Sequence, residues 1–208
     1  MYIPRHFEQT DNAALHGLIR ANALGTIVSA SAEGFEANHM PFHLDELASL
    51  LRGHVARANP LSRSVVDRPG VLVIFQGPQH YVTPSWYPGK REHGKVVPTW
   101  NFAAVHVHGR ARVVDDAAWL REHFALLTRE HEAPRAEPWR IDDAPADFID
   151  QLLGHIVGLE ITIDRIEGKW KVSQNRPAAD RRGVADGLRA HGGDAAAAMA
   201  TLVDGGVP

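Results

Sequence analysis

Four short stretches of the sequence combine side chains suited to binding a phosphorylated aromatic cofactor. They are residues 38–42 (NHMPF), 53–60 (GHVARANP), the pair 81–87 (YVTPSWY) with 97–102 (VPTWNF), and 169–176 (KWKVSQNR). Cationic groups suit a phosphate, hydroxyls and amides suit a ribityl chain and ring edges, and flat side chains suit the faces of a ring. Flavin mononucleotide (FMN) fits this inventory. The alternative is ordinary scaffold, since aromatic residues near strand ends often complete a core and Lys/Arg clusters are usually solvated.

Other kinds of chemistry have less support in the sequence. The chain has no cysteine, which excludes disulfides, thiolate metal sites and a cysteine nucleophile. It also has none of the motifs typical of serine hydrolases, P-loop proteins, zinc proteases or Rossmann proteins. His106 and His108 share one face of a strand pattern, as do His39 and His43, but two imidazoles are only part of a metal site. Since the sequence shows no third ligand, we expect no metal.

Composition places the chain among ordinary globular proteins. Its 208 residues include 25 acidic and 22 basic side chains, which give a formal net charge of −3. Hydrophobic residues make up 44% of the chain. A mildly acidic total argues against broad attraction to nucleic acid. No stretch of the sequence comes close to the ~20 consecutive, mainly apolar residues that a membrane-spanning helix needs. We therefore expect a cytoplasmic protein that does not contact a membrane.

Hydrophobic periodicity predicts mainly antiparallel sheet with a few helices. Residues 11–23 read as a helix capped by Asp11, short β-type runs occupy 26–82, and 105–114 (VHVHGRARVV) alternates as a strand. A second helix follows an Asp115 cap, and a third covers about 143–154 with Phe148 and Leu152 on its apolar stripe. The strand-like LEITIDRI precedes a helical C-terminal segment. The runs are too closely spaced for crossover helices, so hairpins and Greek-key links are favoured.

Several motifs, taken in their order along the chain, resemble those of one family. The ordered blocks NHMPFHL, LLRGHVARANP, IFQGPQHYVTPSWYPGK, VVPTWNFAAVHVHG and IEGKWKVSQNR resemble the PaiB-type family of FMN-binding negative transcriptional regulators. The resemblance implies an α+β fold: an FMN-binding split β-barrel, six-stranded, antiparallel and Greek-key, with peripheral helices. It also implies a homodimer with cofactor sites at its interface and a repressor role in sporulation and degradative-enzyme control. We expect the FMN-binding domain to span 1–175 and a helical C-terminal extension to span 176–208.

The same resemblance, mapped onto these motifs, suggests which residues hold the cofactor. The candidates for the phosphate are Arg57, Lys171 and Arg176. The candidates for hydrogen bonds to the ribityl chain or ring edges are His54, Asn59, Ser85, Thr99, Gln174 and Asn175. Trp86 and Trp100 would wall the ring, with His39 near its rim.

Three functions remain open at this stage. A repressor that reads DNA needs a recognition helix, and the sequence shows only a basic cluster over residues 169–183, so DNA contact through a regulatory protein partner is an alternative to direct contact. An FMN-dependent oxidoreductase acting on a small-molecule substrate is the second function, with His39, His54 or Tyr81 as proton donor. A heme-binding or heme-degrading protein is the third, by fold analogy alone. The sequence assigns no catalytic residue.

Overall fold

The computed structural model describes residues 1–31 and 33–205. Its strands are β1 (Glu8–Gln9), β2 (Leu24–Ala30), β3 (Phe35–Pro41), β4 (His43–Asp45), β5 (Leu50–Ala56), β6 (Gly70–Val82), β7 (Thr99–Val114) and β8 (Ile156–Lys171). Its α-helices are α1 (Asn12–Ala21), α2 (Leu61–Asp67), α3 (Gly89–His93), α4 (Ala117–Glu132), α5 (Ala146–Leu153), α6 (Ala178–His191) and α7 (Asp194–Val203). Short 3₁₀ turns cover Arg5–Phe7, Pro84–Trp86 and Ile141–Asp143.

The strands pair in the order β3-β2-β6-β7-β8-β5-β4 across the described residues, and β1 joins β8 separately. The registers are antiparallel: Leu24 of β2 faces Pro41 of β3, and Leu50 of β5 faces Thr162 of β8. A βαβ crossover joins parallel strands, so these antiparallel pairs agree with the antiparallel sheet that the β-type runs predicted, although the link between β7 and β8 is long and contains α4 and α5.

Two compact units divide the chain. The first consists of residues 1–22, 75–106 and the chain from Ile166 onward, and the second consists of Ala23–Ile74 and Val107–Arg165. The strands β6, β7 and β8 each contribute residues to both units.

Strand alternation builds the core of the second unit. Ile27, Leu51, Leu159 and Ile161 are fully buried, because every second side chain on a strand points to the same face. At the ends of the path from β3 to β5, Met40 Sδ and the Phe42 ring come within 3.2 Å of the point where a Cβ on Gly53 would stand. The two ends of this six-strand path therefore pack together, as expected for the barrel.

The helix α4 begins one residue later than the sequence suggested. Its cap is Asp116, whose carboxylate accepts a hydrogen bond from Trp119 N at 2.7 Å, whereas Asp115 is occupied by an ion pair with Arg57. The helix lies against β8, where a Cβ on Gly158 would fall 2.2 Å from the Trp119 ring. Only glycine permits so close an approach.

The apolar stripe predicted for the third helix was wrong by one position. Ile149 and Leu153 of α5 are buried and form a small core with Leu120 of α4, while Phe148 and Leu152 are 51% and 45% exposed. Both pairs have the i, i+4 spacing of a helix face, so spacing alone does not say which pair the neighbouring helix covers.

Helices α1, α6 and α7 contribute much of the core of the first unit. Asp11 caps α1 as predicted, accepting from Ala13 N at 3.0 Å. The α-helices α6 and α7 pack on each other through buried residues that include Val184, Leu188 and Met199. The predicted domain boundary at residue 175 stays a prediction. In the described ranges no helix has both the length and the apolar character to cross a bilayer.

Candidate functional site

A cluster of positive charge lies where β7 begins and β8 ends in the first unit. Lys171 Nζ donates hydrogen bonds to Thr99 Oγ1 at 2.5 Å and to the Trp100 carbonyl at 2.9 Å. Burial, followed by the charges of Lys169 and Arg176, lowers the pKa of Lys171. We call these five residues (Thr99, Trp100, Lys169, Lys171 and Arg176) the Lys171 cluster. Its ammonium and guanidinium groups repel one another, so an anion placed among them would stabilise all three.

The turn that follows β8 positions Arg176. Gln174 uses both ends of its amide on this turn: Oε1 accepts from Val172 N at 2.8 Å, and Nε2 donates to the Trp170 carbonyl. Ser173 adopts a left-handed φ of 65° and is held by Asn101, whose Nδ2 lies 2.9 Å from its hydroxyl. A left-handed serine is uncommon and needs such support. The amide of Gln174 therefore shapes the turn, whereas Asn175 beside it is exposed.

Two exposed aromatic rings lie at the Lys171 cluster, that of its member Trp100 and that of the neighbouring Tyr81. Trp100 is 49% exposed and Tyr81 is 45% exposed, and their rings meet edge to face with centroids 6.0 Å apart. The Trp100 indole N–H donates to Gln79 Oε1 at 2.5 Å, which sets the orientation of its ring. Large exposed rings with fixed orientation are suited to lie against a flat ligand.

Trp86 is held by α6. A Cβ on Gly187 would fall 2.3 Å from the Trp86 ring, and one on Gly183 would fall 2.1 Å from its carbonyl oxygen. Trp86 thus packs on α6 with its ring over Gly187 and its backbone carbonyl over Gly183, one helical turn earlier. Neighbouring Ser85 is exposed, and its hydroxyl accepts from Lys90 Nζ at 3.3 Å.

Tyr87 is a neighbour of Arg176 that sequence reasoning missed. The Arg176 guanidinium lies 5.1 Å from the centre of the buried Tyr87 ring. Burial raises the pKa of Tyr87, the Arg176 charge lowers it, and Asp180 raises it. Tyr87 follows Trp86 in the same motif, and that position was the only signal in the sequence that could have identified it.

Arg57 is engaged with a carboxylate in the second unit. Its Nη1 and Nη2 bind the two oxygens of Asp115 at 2.6 and 2.7 Å, and further bonds reach the carbonyls of Gly154 and Ile156 at 3.0 and 3.2 Å. The hydrogen bond with Asp115 raises the pKa of Arg57 and lowers that of Asp115. Its charge is therefore balanced within the chain, and a role toward phosphate stays a prediction.

Asn59 supports a helix start, and His39 stands on a strand surface. Asn59 Oδ1 accepts from Leu61 N at 3.0 Å at the beginning of α2, while its Nδ2 donates to Asn38 Oδ1 at 2.9 Å. His39 is exposed on β3, opposite Thr26. Both ends of the Asn59 amide are thus occupied, whereas the His39 ring is accessible.

His54 is paired with a histidine that sequence reasoning did not single out. His54 Nδ1 lies 3.3 Å from Nε2 of His123, which is 1% exposed and stacks on Trp119. Burial, then the charges of His54, His43 and Arg52, lowers the pKa of His123 to about 3. Burial also lowers the pKa of His54. His123 lies three residues after Leu120 and four before Leu127, on the buried stripe of α4, and this helical spacing is the signal in the sequence that could have identified it.

The predicted residues thus fall into groups with different surroundings. In the first unit the structure brings Thr99, Trp100, Lys171 and Arg176 into one cluster, with Gln174 and Asn175 on the adjoining turn and Ser85 and Trp86 on a 3₁₀ turn against α6. In the second unit Arg57, Asn59 and His54 have the separate partners Asp115, Asn38 and His123. The chemistry best supported by one group alone is anion binding at the Lys171 cluster.

Comparison with known proteins relates the chain to a family. Residues 1–165 match a family model described as "Putative FMN-binding domain". The "Protease synthase and sporulation protein PAI 2" of Bacillus subtilis is 32% identical over 206 residues, covering 98% of this chain and 97% of that protein. An uncharacterized protein of Emericella nidulans is 33% identical over 241 residues, covering 98% and 96%.

Solved structures share the fold at low sequence identity. The FAD and heme binding protein from Mycobacterium smegmatis superimposes with a TM-score of 0.62 at 15% identity, over 86% of this chain and 80% of that chain. A conserved hypothetical protein from Mycobacterium tuberculosis gives 0.61 at 12% identity, over 85% and 94%. The α+β split-barrel fold with peripheral helices, expected from the sequence motifs, is confirmed.

Proposed function

We propose, because this chain belongs to the FMN-binding domain family, that the Lys171 cluster holds the phosphate of FMN. The observation that carries the proposal is that three cations, Lys169, Lys171 and Arg176, lie close together at the end of β8. The Lys171 ammonium also donates a hydrogen bond to the Thr99 hydroxyl. FMN is the cofactor that the family match supports. When bound, a flavin supplies hydride and one-electron chemistry.

Electrostatics supports an anion at this position. Burial and like charges lower the pKa of Lys171, and both effects penalise the ammonium form. A phosphate dianion would offset the repulsion and accept charge-assisted hydrogen bonds from Lys171 and Arg176. The stacking of Arg176 over Tyr87 limits the positions that its guanidinium can take, so less conformational entropy is lost on binding.

Polar and aromatic neighbours supply the rest of a nucleotide site. The exposed amide of Asn175 and the hydroxyl of Thr99 suit the ribityl chain, and the exposed rings of Trp100 and Tyr81 suit one face of the isoalloxazine. The chain's own residues thereby bind the phosphate, orient the ring and exclude water from one of its faces.

The test compares FMN affinity in two lysine variants. FMN fluorescence is titrated with wild-type protein, Lys171→Met and Lys95→Met. Lys95 is an exposed lysine of the same unit, outside the cluster. Loss of a charged partner of the phosphate predicts a Kd for Lys171→Met raised about tenfold or more, with Lys95→Met within about twofold of wild type. A correctly folded Lys171→Met that binds FMN as tightly as wild type would contradict the proposal.

We further infer a regulatory role of the kind named in the Bacillus subtilis relative. That protein is matched over nearly its whole length, and its name refers to protease synthesis and sporulation. We propose that any action on promoters runs through a protein partner or a small molecule. The formal charge of the chain is −3, which disfavours nonspecific affinity for DNA. In a gel-shift assay with salt titration, we expect no promoter fragment to bind more tightly than random duplex; a fragment that does so would show direct recognition.

Turnover of a small molecule is the alternative function, and it has its own assay. The proton donors proposed for it are His39 and Tyr81, which are exposed, and the partly buried His54. Anaerobic mixing of FMN-loaded protein with NADH or NADPH bleaches the oxidised flavin if the protein is a reductase. A ring that stays oxidised with both donors would refute that alternative. Heme binding rests on likeness of fold alone, and a hemin titration tests it through the Soret band.

A homodimer with FMN at its interface is the proposed assembly in the cytoplasm. The exposed rings of Trp100, a member of the Lys171 cluster, and of the neighbouring Tyr81 would be covered by cofactor and partner together. Light scattering coupled to size exclusion gives the mass. A monomer in the FMN-loaded state would contradict the assembly without affecting the phosphate site.

A further inference from the structure

The second unit contains a cavity that the proposed FMN site does not use. It has a volume of about 350 Å³ and is lined by Pro41, His54, Phe124, Leu127, Thr128 and Trp139, among others. Apolar atoms make up most of the exposed lining, and its polar side chains are those of His54 on the sheet and of Thr128, His131 and Glu132. An apolar pocket with a few polar groups that fix orientation is the usual form of a small-molecule site.

Hydrogen bonds to Glu132 hold the Trp139 side of this cavity in place. Glu132 Oε2 accepts from Trp139 N at 3.1 Å, and its Oε1 pairs with Arg135 Nε at 3.0 Å. The Trp139 ring meets Phe124 edge to face, with centroids 6.4 Å apart and planes at 83°. Both oxygens of the Glu132 carboxylate are therefore used to hold the Trp139 segment. The rings of Phe124 and Trp139 both line the cavity and supply aromatic surface against which a flat molecule can pack.

The protonation of His54 follows from its partner. His123 and His54 are neutral near pH 7, since burial lowers the pKa of each. One of the two facing nitrogens therefore carries the proton that joins His54 Nδ1 and His123 Nε2 at 3.3 Å. If His54 were the donor, the proton of His123 would be on its Nδ1, which is buried and has no hydrogen-bond partner among the described residues.

A buried N–H without an acceptor is rarer and costlier than a bare lone pair. The favoured arrangement therefore has His123 Nε2–H donating to His54 Nδ1. His123 cannot easily turn away from it, because its ring is stacked on Trp119 with centroids 5.0 Å apart. His54 then carries its proton on Nε2, the nitrogen that His123 does not use. His123 is in this sense a positioning residue that sets the tautomer of His54.

We propose that this cavity binds a planar, uncharged aromatic molecule bearing a hydrogen-bond acceptor, such as a ring nitrogen or a carbonyl. His54 Nε2–H donates to the acceptor, and Phe124 and Trp139 contact the ring. A charged ligand is disfavoured, because the walls are largely apolar and the Glu132 carboxylate is already paired. The site differs from the Lys171 cluster in the chemistry it selects: a neutral ring in place of a phosphate.

The test uses quinoline as the probe and naphthalene as its isostere without an acceptor. Binding is followed by Trp fluorescence in wild type, His54→Phe and His155→Phe, with circular dichroism as the check of folding. His155 is an exposed histidine of the same unit and does not line the cavity. We expect His54→Phe to weaken quinoline by about five- to tenfold and to leave naphthalene within about twofold, while His155→Phe changes neither. No quinoline binding, or equal weakening of both probes in folded His54→Phe, would overturn the proposal.

Two further readouts separate this inference from the FMN proposal. The ¹⁵N shifts of the imidazole rings show which nitrogens are protonated, and a bare Nε2 on His54 would contradict the tautomer on which the inference rests. The quinoline titration is repeated with saturating FMN and in Lys171→Met. Unchanged quinoline affinity in both supports a separate site, whereas competition by FMN would assign the cavity to the flavin itself and overturn a second ligand.

Discussion

Arg57 and Asp115 form a two-pronged ion pair, with Nη1 to Oδ2 at 2.6 Å and Nη2 to Oδ1 at 2.7 Å. The pair links the residue after β5 to the residue after β7, and Arg57 also binds the carbonyls of Gly154 and Ile156 near the start of β8. A guanidinium held this way ties three chain segments of the second unit together. Its charge is matched by a carboxylate, so we expect its main effect to be on stability.

We predict that Arg57→Met lowers the midpoint of urea unfolding and leaves the Kd for FMN within about twofold of wild type. Asp115→Asn should lower the midpoint in the same way. The double variant should lose less than the sum of the two, since each single change already breaks the pair. A large loss of FMN affinity in Arg57→Met would return this arginine to the phosphate site that the family resemblance suggested.

Lys171 should make FMN binding depend on pH on the alkaline side. Its pKa is lowered by burial and by Lys169 and Arg176, so the ammonium loses its proton below the usual lysine range. The phosphate then loses a charged partner, and we expect the Kd for FMN to rise with pH before pH reaches 10.5, the ordinary pKa of a lysine. Over the same window the apoprotein should gain stability as pH rises, because the unfolded chain holds the proton longer than the folded one.

Lys171→Met is the control for this pH dependence. It should bind weakly at all pH values and show no further weakening through the alkaline window. A wild-type Kd that stays flat as pH rises toward 10.5 would show that the Lys171 ammonium does not contact the phosphate.

The stability of the second unit should fall in acid because of His123. Its pKa is about 3 in the folded protein against 6.5 for an ordinary histidine. Between these values the unfolded chain binds a proton that the folded protein does not. The free energy of unfolding should therefore decrease as pH falls below 6.5, with a limiting slope of about 1.4 kcal/mol per pH unit from this residue.

Urea unfolding between about pH 7 and about pH 4 measures this slope. His123→Phe keeps a ring against Trp119 and removes the titrating group, so its stability should fall less steeply with acid than that of the wild type. Equal slopes for the two proteins would mean that His123 gains a proton in the fold as easily as in the unfolded chain.

Two glycines inside helices should respond to alanine in opposite directions. Gly187→Ala puts a methyl group 2.3 Å from the Trp86 ring, and the overpacking should cost about 1–3 kcal/mol. Gly17 of α1 has nothing within 4 Å of a new Cβ, so Gly17→Ala should stabilise by about 0.5–1 kcal/mol through helix propensity. Chemical denaturation of both variants checks the pair. Stabilisation by Gly187→Ala would refute the close packing of Trp86 on α6.

Adjacent residues of α5 should differ sharply in their tolerance of truncation. Ile149 is 3% exposed in the core shared with Leu120, and Ile149→Ala should cost about 2–5 kcal/mol. Phe148 is 51% exposed, and Phe148→Ala should change stability by less than about 0.5 kcal/mol. The opposite ranking in thermal or urea unfolding would restore the apolar stripe that the sequence pattern predicted.

The sequence alone determined the local structure and the family. Periodicity and turn residues predicted antiparallel strands, because a two-residue repeat of apolar side chains is written directly into the chain. The Asp11 cap of α1 could be predicted for the same reason, since donor and acceptor are two residues apart. The ordered motifs indicated an FMN-binding split barrel, and the family match and the shared fold confirm it.

Only the tertiary structure decided which polar groups are already paired. Arg57 and Lys171 have the same charge in the sequence, yet strand register brings Asp115, 58 residues away, onto Arg57 and leaves Lys171 among other cations. Helix packing likewise placed His123 against His54 and chose Ile149 over Phe148 for the core. The physical reason is common to all three: a side chain's pKa, burial and free bonding capacity depend on neighbours distant in sequence, and those neighbours are brought together by folding.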